Sequence, residues 1–397
     1  MVTEVLTRSV SAIIPSKEAL RGLLLSGKKI KIYVGIDPTA DYVHLGHSTN
    51  YLILERLHKL GHTIVVLVGD FTAMIGDPSD KSSERSALSR EEVLANLRTF
   101  KEQIGKILNF EDKENPIEFV CNSNWLSELD FKKLVELASN FTVQQMLERD
   151  MFEKRVREHK PLYVHEFFYP LLQGYDSVAL EVDLEIGGTD QMFNMLAGRT
   201  LSRRYLNREK FVCTTTLLVH PTTGAKLMSK SFGTGIGLNE LPESMFDKVM
   251  ALPDESMMQV FTDCTRLPLR EIDAKRTRLE KGENPKNIKL ELAREITAMY
   301  HTADAATKAQ DRWIQVFSKK EAPDSLQEIS AKTGEELLSF LARVKLVPSK
   351  SEGRRLLQQG AIECNGVVVK DPAYRIQKPG ILRVGKKKIV RAVLQKS

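Results

Sequence analysis

Residues 30–36 read Ile-Lys-Ile-Tyr-Val-Gly-Ile and residues 64–68 read Ile-Val-Val-Leu-Val, two short runs rich in β-branched side chains. The second run is continuously apolar, as expected for a strand that is buried on both faces of a parallel sheet. Between the two runs, apolar residues recur at helical spacing over 46–60, and this pattern ends at Gly61. A strand, a helix and a second strand in this order predict an α/β unit with a doubly wound sheet.

The same alternation continues along the chain to residue 218. Ser89 and Glu92 form a capping box that predicts a helix to about Leu108. Strands are predicted at 117–120, 181–186 and 211–218, amphipathic helices over 130–159, and further helices over 164–179 and from 191. We therefore predict a Rossmann-type doubly wound parallel sheet with a helical insertion over about 125–162.

Composition excludes several classes of protein. The 397 residues are 42% hydrophobic and 28% charged, an ordinary balance that excludes a disordered or fibrous chain. No run of about 18 apolar residues is present, and the N-terminus lacks a signal segment, so no membrane association is expected. The four cysteines lie far apart and never as C-x-x-C, which argues against a disulfide scaffold or structural metal. We expect a cytoplasmic protein.

The positive charge of the chain is concentrated near its end. Residues 335–397 hold 14 Lys/Arg and 5 Asp/Glu, whereas the whole chain has a net charge of only +6. A basic module on a nearly neutral body indicates an enzyme that handles a polyanion such as nucleic acid. A solvated basic surface is the alternative interpretation.

The chain is predicted to contain three domains. The catalytic domain covers 1–238. A mostly helical stretch at 239–325 forms a second domain, residues 326–336 are polar enough to be a linker, and a small α+β domain covers 337–397.

His44-Leu45-Gly46-His47 follows the first predicted strand and begins the next helix. Backbone N–H groups at a helix N-terminus carry partial positive charge, and Gly46 lets a nucleotide approach the backbone. Two imidazoles three residues apart can donate to phosphate oxygens as charge builds on them. A metal pair or two incidental surface histidines would explain the motif alone, but doubly wound sheets bind ligands at this position.

A second motif combines lysines with glycines. Residues 226–231 read Lys-Leu-Met-Ser-Lys-Ser, and residues 232–237 read Phe-Gly-Thr-Gly-Ile-Gly. Lysines on such a loop can close over a triphosphate and stabilise departing pyrophosphate. A loop of this composition on its own is more often a solvated linker.

Together the two motifs resemble the HIGH and KMSKS signatures of class I aminoacyl-tRNA synthetases. The segments 33–41, 76–79, 169–176 and 187–191 resemble the tyrosyl-tRNA synthetase family, and the resemblance covers essentially the whole chain. It implies that tyrosine is activated with ATP, accompanied by Mg²⁺, to tyrosyl-adenylate and pyrophosphate. Tyrosine is then transferred to the 3′ end of tRNA(Tyr).

The resemblance also assigns the amino-acid pocket. Tyr33 and Asp176 match the pair that binds the substrate phenol, which needs one donor and one acceptor. Asp77, Tyr169 and Gln173 match the positions that hold the substrate ammonium. The residues at 169, 173 and 176 are spaced to lie on one face of a helix, which supports the assignment independently. Gln191 matches the residue of the family that lies near the substrate carboxylate.

The implied nucleotide site is larger. Lys81 and Arg85 match cations of a mobile loop that meet pyrophosphate, and they join His44, His47 and Lys230 as catalytic residues. The implied ATP-binding residues are Gly35, Asp37, Thr39, His44, His47, Gly188, Asp190, Lys226, Met228, Ser229, Lys230 and Ser231. The sequence departs from the KMSKS pattern at one point, because its first lysine is displaced by one position to Lys226.

The C-terminal module resembles the S4 RNA-binding domain. Residues 346–357 predict a basic helix, and 360–367 predict a strand with an Asn-Gly hairpin turn. Such a module grips RNA by backbone and shape. The basic residues expected to contact tRNA are Lys350, Arg354, Arg355, Lys386, Lys387 and Lys388. The resemblance further implies a homodimer formed through the helical insertion, and it implies that the helical domain at 239–325 binds the anticodon.

Three alternatives remain open at the level of sequence. Tryptophanyl-tRNA synthetases share the scaffold, but the pair of Tyr33 and Asp176 and the S4 module argue against that substrate. A nucleotidyltransferase of small-molecule metabolism would not need an RNA-binding module. An RNA-binding protein with an inactive core would lack site residues, and the displaced lysine is the one departure found.

Overall fold

The structure is a computed structural model and describes residues 1–78, 88–228, 234–318, 328–365, 367–385 and 388–394. The chain divides into two compact units, Met1–Ala303 and Asp304–Ser397. No helix of the described residues has the length and apolar character that crossing a membrane requires.

The first unit contains a six-stranded sheet. Its strands are β1 (Val10–Ile14), β2 (Lys31–Ile36), β3 (Thr63–Val68), β4 (Glu118–Cys121), β5 (Leu184–Gly188) and β6 (Phe211–Thr215). The spatial order is β1-β6-β5-β2-β3-β4, and β2 to β6 pair in parallel. The predicted doubly wound parallel sheet is thereby confirmed over β2 to β6, and the edge strand β1, which was not predicted, pairs antiparallel with β6 and makes the sheet mixed.

Sixteen α-helices of the described residues belong to this unit. They are α1 (Val2–Val5), α2 (Lys17–Leu25), α3 (Leu45–Lys59), α4 (Thr72–Ile75), α5 (Arg90–Leu97), α6 (Phe100–Gly105), α7 (Ser123–Leu126), α8 (Phe131–Ala138), α9 (Val143–Leu147), α10 (Asp150–Arg157), α11 (Phe168–Ala179), α12 (Met192–Leu206), α13 (Pro242–Met250), α14 (Met257–Cys264), α15 (Leu269–Glu280) and α16 (Pro285–Tyr300).

The centre of the sheet lies where the strand order reverses. β3 is buried along nearly its whole length, and α3 turns Tyr51, Leu52 and Leu54 into the core. The chain proceeds from β2 to β3 and β4 on one side, whereas β5 and β6 lie on the other. The crevice outside the carboxyl ends of β2 and β5 is therefore the topological switch point, where open α/β sheets bind ligands.

Most of the predicted elements are present, with two differences. The single helix predicted from Ser89 to about Leu108 is two helices, because the backbone leaves the helical conformation at Thr99, with φ of −106° and ψ of 0°, where the side chains of Thr99 and Gln103 hold α6 against the loop at 41–43. The strand predicted from residue 181 begins at Leu184, since Glu181 adopts a left-handed conformation with φ of 51° that a strand cannot contain.

The helical stretch after residue 238 is continuous with the first unit. Helices α13 to α16 lie within Met1–Ala303 together with the sheet. The insertion predicted over about 125–162 contains α7 to α10. The domain boundaries at 238, 325 and 336 stay predictions.

The second unit has its own sheet and core. It contains α17 (Ala303–Trp313), which begins at the boundary, a π-helical turn at Ile314–Ser318, α18 (Leu337–Arg343) and α19 (Lys350–Gln358), and the strands β7 (Glu328–Ala331), β8 (Glu335–Glu336), β9 (Ile362–Cys364), β10 (Val367–Val368), β11 (Arg375–Ile376), β12 (Gly380–Val384) and β13 (Lys388–Leu394). Five strands pair in the order β10-β9-β12-β13-β7, and β8 pairs with β11. The predicted hairpin is confirmed by the antiparallel pairing of β9 with β10.

Candidate active site

A cavity of about 260 Å³ opens at the topological switch point. It is lined by residues from the carboxyl ends of β2 and β5, from the start of α3 and from one face of α11. All six residues predicted to bind tyrosine line it, namely Tyr33, Asp77, Tyr169, Gln173, Asp176 and Gln191. The described residues predicted to bind ATP line the same cavity, namely Gly35, Asp37, Thr39, His44, His47, Gly188, Asp190, Lys226 and Met228. The cavity therefore brings the two predicted subsites together.

Tyr33 and Asp176 lie buried in one part of the cavity wall, where each has its own partners. The Tyr33 hydroxyl is 3.0 Å from Oγ of Ser177. The Asp176 carboxylate accepts hydrogen bonds from Nε1 of Trp125 at 2.8 Å and from Nδ2 of Asn122 at 3.3 Å. Burial raises the pKa of Asp176 well above its ordinary value, although these two hydrogen bonds oppose the shift. Burial also raises the pKa of Tyr33, with the charge of Glu185 adding to it.

The predicted ammonium ligands form a polar wall. Tyr169 donates from its hydroxyl to Oδ2 of Asp37 at 2.8 Å. Asp77 accepts from Nη2 of Arg149 at 2.9 Å and from Nε2 of Gln191 at 2.7 Å. A carboxylate beside neutral acceptors suits a cation with three donors. Arg149, which lies between α9 and α10 of the insertion, was not predicted as part of the site.

The two histidines stand at the N-terminus of α3. Their rings stack with centroids 3.7 Å apart, and the backbone N–H of His44 donates to Nδ1 of His47 at 3.1 Å. A Cβ at Gly46 would lie 3.0 Å from the His44 ring, so the glycine allows this close packing. The helix N-terminus and two imidazoles facing the cavity form a site suited to phosphate.

The loop that carries the second motif reaches the same cavity. Lys226 donates from Nζ to Oδ2 of Asp190 at 2.9 Å, which joins two residues predicted to bind ATP. Met228 is buried beside Gly46. Five further predicted residues lie outside the described residues, namely Lys81, Arg85, Ser229, Lys230 and Ser231. Within the described ranges, no cluster of His, Cys, Asp or Glu is arranged to hold a metal ion.

The basic residues predicted to contact RNA lie on the second unit. Lys350, Arg354 and Arg355 are exposed on α19, where Arg355 pairs with Glu352 at 2.6 Å. Lys388 is exposed at the start of β13 and donates to the Leu346 carbonyl at 2.6 Å. Lys386 and Lys387 lie outside the described residues.

Sequence reasoning missed a buried polar layer that begins at the cavity wall with Glu185. Gln173 donates to Glu185 at 3.1 Å, and Glu185 is paired with Lys210. Asn194 donates to Oε1 of Gln173 and to Oε1 of Gln191, both at 2.9 Å. A single charged residue in the otherwise apolar strand β5 was the signal that could have revealed this layer.

Two family profiles match the chain. The family described as tRNA synthetases class I (W and Y) matches residues 25–318, and the S4 domain matches residues 337–380. Tyrosine–tRNA ligase of Moorella thermoacetica is 43% identical over 98% of this chain and 94% of its own length. The corresponding ligase of Haemophilus influenzae is also 43% identical, over 94% of this chain and 92% of its own.

Solved structures show the same fold at lower identity. A C-terminally truncated mitochondrial tyrosyl-tRNA synthetase of Aspergillus nidulans superposes with a TM-score of 0.65 at 20% identity, covering 80% of this chain and 93% of the other. A tyrosyl-tRNA synthetase of Archaeoglobus fulgidus, solved with L-tyrosine, gives a TM-score of 0.61 at 21% identity. It covers 78% of this chain and 100% of the other.

Proposed function

Since the chain belongs to the class I tRNA synthetases of the tryptophan and tyrosine family and has the activity of a tyrosine–tRNA ligase, we propose that the cavity at the switch point activates tyrosine with ATP. One observation carries this assignment of the site. The six residues predicted for tyrosine and nine predicted for ATP converge on one cavity, although they come from segments spread over residues 33–228.

The first step needs no covalent catalyst from the protein. The carboxylate of tyrosine attacks the α-phosphate of ATP, the bond to the β-phosphate breaks, and pyrophosphate leaves. His44 and His47 at the N-terminus of α3 would stabilise charge on the phosphate oxygens, joined by Lys230, Lys81 and Arg85. We expect Mg²⁺ to enter with ATP, held largely by the phosphates.

Substrate choice would depend on the buried end of the cavity. Tyr33 and Asp176 can supply a donor and an acceptor to a phenol hydroxyl. Phenylalanine would leave one hydrogen-bonding position of each buried group unfilled, which costs free energy. Tryptophan would offer an indole N–H in a different position.

The second unit supplies an RNA-binding surface. It belongs to the S4 domains, and its excess of basic residues over 335–397 suits the phosphate backbone of tRNA. We propose that Lys350, Arg354, Arg355 and Lys386 to Lys388 contact tRNA(Tyr). A cytoplasmic location is part of this proposal, because the described cysteines are free thiols, as is usual in a reducing compartment.

The helical insertion is proposed to form a homodimer interface. Phe131 is 81% exposed, and Val135 lies one turn away on the same face of α8. Val143, Val156 and Val164 in the same region are also exposed. A concentration of exposed apolar side chains in one segment is typical of a protein–protein interface.

Light scattering on a size-exclusion column tests the dimer. The double substitution Phe131→Glu/Val135→Glu is expected to halve the measured mass, because two charges would be buried at the interface. Leu241→Glu is the matched control, since Leu241 is exposed but lies outside the insertion. A monomeric wild type, or an F131E/V135E variant that stays dimeric, would reject this interface.

Amino-acid-dependent ATP–pyrophosphate exchange without tRNA tests the activity of the cavity. Run in parallel with tyrosine, tryptophan and phenylalanine, it should show exchange with tyrosine alone. Exchange with tryptophan would assign the other substrate of the family. An absence of exchange with all three would favour an RNA-binding protein with an inactive core.

A further inference from the structure

We propose that the buried ion pair of Glu185 and Lys210 positions the tyrosine pocket by fixing the direction in which hydrogen bonds run from Tyr33 and Gln173 to the substrate. The inference rests on the proposed function, because it concerns the same cavity. Neither residue is expected to touch the reacting atoms.

The pair is buried, and its Glu185 end forms part of the cavity wall. Lys210 is 0% exposed and Glu185 is 2% exposed. Nζ of Lys210 pairs with the Glu185 carboxylate and lies 2.9 Å from Oγ of Ser177. A Cβ added at Gly198 would lie only 2.5 Å from this ammonium, so the glycine keeps the space that Lys210 occupies.

At the phenol end, the pair sets the role of Tyr33. An ammonium group can only donate, so Ser177 accepts from Lys210 and keeps its own hydrogen for another partner. The Tyr33 oxygen, at 3.0 Å, is a closer partner for that hydrogen than Oε2 of Glu185, at 3.4 Å. Tyr33 then accepts from Ser177 and can direct its own hydrogen to the phenol oxygen of the substrate. Asp176 is left as the acceptor for the substrate's hydrogen.

At the ammonium end, the pair sets the orientation of an amide. Glu185 can only accept, so Gln173 must turn its NH₂ group towards that carboxylate, at 3.1 Å. Its Oε1 atom then faces the other way and accepts from Asn194 at 2.9 Å. A carbonyl oxygen has two lone pairs, and the second is available to the substrate ammonium.

The hydrogen bonds continue through the side-chain amides of Asn194 and Gln191 and end at a second carboxylate, that of Asp77. Asn194 also donates to Oε1 of Gln191, and Nε2 of Gln191 donates to Asp77 at 2.7 Å. With an acceptor-only group at each end, both glutamines present N–H to a carboxylate and oxygen to Asn194. A neutral residue at position 185 could donate as well as accept, and the orientation of Gln173 would no longer be fixed.

A buried ion pair contributes little to the stability of the folded protein, because the cost of desolvating two charges offsets their attraction. Its location here favours a role in recognition, since one end contacts the hydrogen-bond chain of Tyr33 and the other contacts Gln173. We therefore expect the contacts at Tyr33 to affect the discrimination between tyrosine and phenylalanine, and the contact with Gln173 to affect the affinity for tyrosine.

The test is pyrophosphate exchange with a neutral replacement of the pair, Glu185→Gln/Lys210→Met, which leaves no buried charge behind. We expect the tyrosine KM to rise about tenfold or more, and the preference for tyrosine over phenylalanine to fall about tenfold, while the ATP KM stays within about twofold. Ser177→Ala removes the contact to Tyr33 together with one acceptor of Lys210, but it leaves Gln173 bonded to Glu185. It should therefore lower discrimination more than it raises the tyrosine KM.

Lys289→Met is the matched control. Lys289 is also a buried lysine, bonded to the Leu252 carbonyl and paired with Asp254, and it does not line the cavity. The tyrosine KM of the K289M variant, and its preference for tyrosine over phenylalanine, should equal those of the wild type. If the E185Q/K210M variant keeps both quantities within about twofold while folded, the pair has no positioning role. A wild type without tyrosine exchange would instead reject the proposed function.

If the E185Q/K210M variant does not fold, Ser177→Ala decides the phenol end and Glu185→Gln alone decides the ammonium end. Unchanged discrimination in the first and an unchanged tyrosine KM in the second would then reject the inference. Circular dichroism and the melting temperature of each variant separate loss of folding from loss of recognition.

Discussion

The Asp176 carboxylate is buried to 2% exposure and keeps two donors, Trp125 and Asn122, aimed at it. A carboxylate held this way can recognise a phenol through a charge-assisted hydrogen bond, which is stronger than a neutral one. Since burial raises its pKa, Asp176 takes up a proton at a higher pH than an exposed aspartate does. Tyrosine recognition should therefore weaken as the pH falls towards that raised pKa.

Asp176→Ala is expected to lower kcat/KM for tyrosine by about a hundredfold or more, because a hydrogen bond to a charged group is lost and two buried donors remain unsatisfied. Affinity for tRNA should hardly change. Pyrophosphate exchange and a tRNA filter-binding assay measure the two effects. Asp273→Ala, at an exposed position of α15, is the control and should leave both unchanged. Normal turnover in D176A would remove Asp176 from the phenol pocket.

Cys121 is the last residue of β4, and its thiol is half-buried. Burial, helped by the charge of Asp70, raises the pKa of this thiol from 9.0 to about 11. At pH 8 its thiolate fraction is then about a hundredfold below that of an unfolded cysteine, and alkylation should be slower by the same factor. Because the pKa is higher in the folded chain, the stabilising contribution is lost as pH rises from about 9 through 11.

Reaction with a disulfide reagent at pH 8 and pH 10 checks this prediction for Cys121. The Cys121 thiol should react slowly at pH 8 and faster at pH 10, and the difference between the wild type and Cys121→Ser separates it from the Cys364 thiol, which is also half-buried. One rapidly reacting thiol per chain at pH 8 that C121S abolishes would contradict the raised pKa.

At the scale of elements, α14 is held by a side chain from the N-terminus of the protein. The guanidinium of Arg8, 3% exposed, donates to the carbonyls of Thr262 at 2.8 Å, Thr265 at 2.7 Å and Leu267 at 2.8 Å. These carbonyls lie at the C-terminal end of α14, where a positive charge also favours the helix dipole. Cys264 of the same helix contacts the Leu45 carbonyl at 3.6 Å, so α14 packs against the start of α3.

Arg8→Ala should lower the free energy of unfolding by about 2–4 kcal/mol, since several buried carbonyls lose their donor. Urea unfolding followed by circular dichroism measures the change. Arg21→Ala on the exposed face of α2 is the control and should change it by less than about 0.5 kcal/mol. If the R8A and R21A variants were equally stable, Arg8 would not anchor α14.

The elements also show what the sequence could and could not predict. β3 and α3 were found because an unbroken apolar run and a helical period are local signals. β1 was missed, because a five-residue edge strand pairs with β6 some 200 positions away and nothing local indicates that partner. The break between α5 and α6 has the same origin, since Thr99 and Gln103 bind a distant loop.

In the candidate active site, too, local sequence patterns were predictable and contacts between distant residues were not. Tyr33, Asp176 and the two histidines were predicted from ordered motifs. Ser177, Glu185 and Lys210 were not, although Ser177 is adjacent to Asp176, because each is an ordinary polar residue until the fold buries it. A hydrogen-bond network that exists only in the folded chain leaves one weak trace in sequence, a glutamate inside an apolar strand.

At the scale of the whole molecule, the chain combines one unit with the cavity and another with the basic surface. Each has its own hydrophobic core, and that of the second unit includes Ala331, Leu337 and Phe340. In the proposed function, chemistry on tyrosine and ATP uses the cavity of the first unit, whereas capture of tRNA uses the charge of the second. The two activities should therefore be separable by truncation.

The best position for the truncation is set by the fold of the second unit. The sequence suggests deletion of 335–397, but β7 at Glu328–Ala331 pairs in parallel with β13 and would lose that partner. Deletion of 328–397 removes both strands together. The shortened chain should keep pyrophosphate exchange within about twofold, while kcat/KM for tRNA charging falls by about a hundredfold, because most phosphate contacts are lost.

The dependence of charging on salt distinguishes loss of charge from loss of shape. Arg354→Ala in the full chain removes one exposed cation of α19, so it should weaken tRNA binding uniformly and reduce the slope of log affinity against log salt by about one. Arg21→Ala again serves as the control, because it removes an exposed cation from the first unit. Charging that survives deletion of 328–397 unchanged, or a salt slope that R354A does not alter, would show that tRNA is held elsewhere on the molecule.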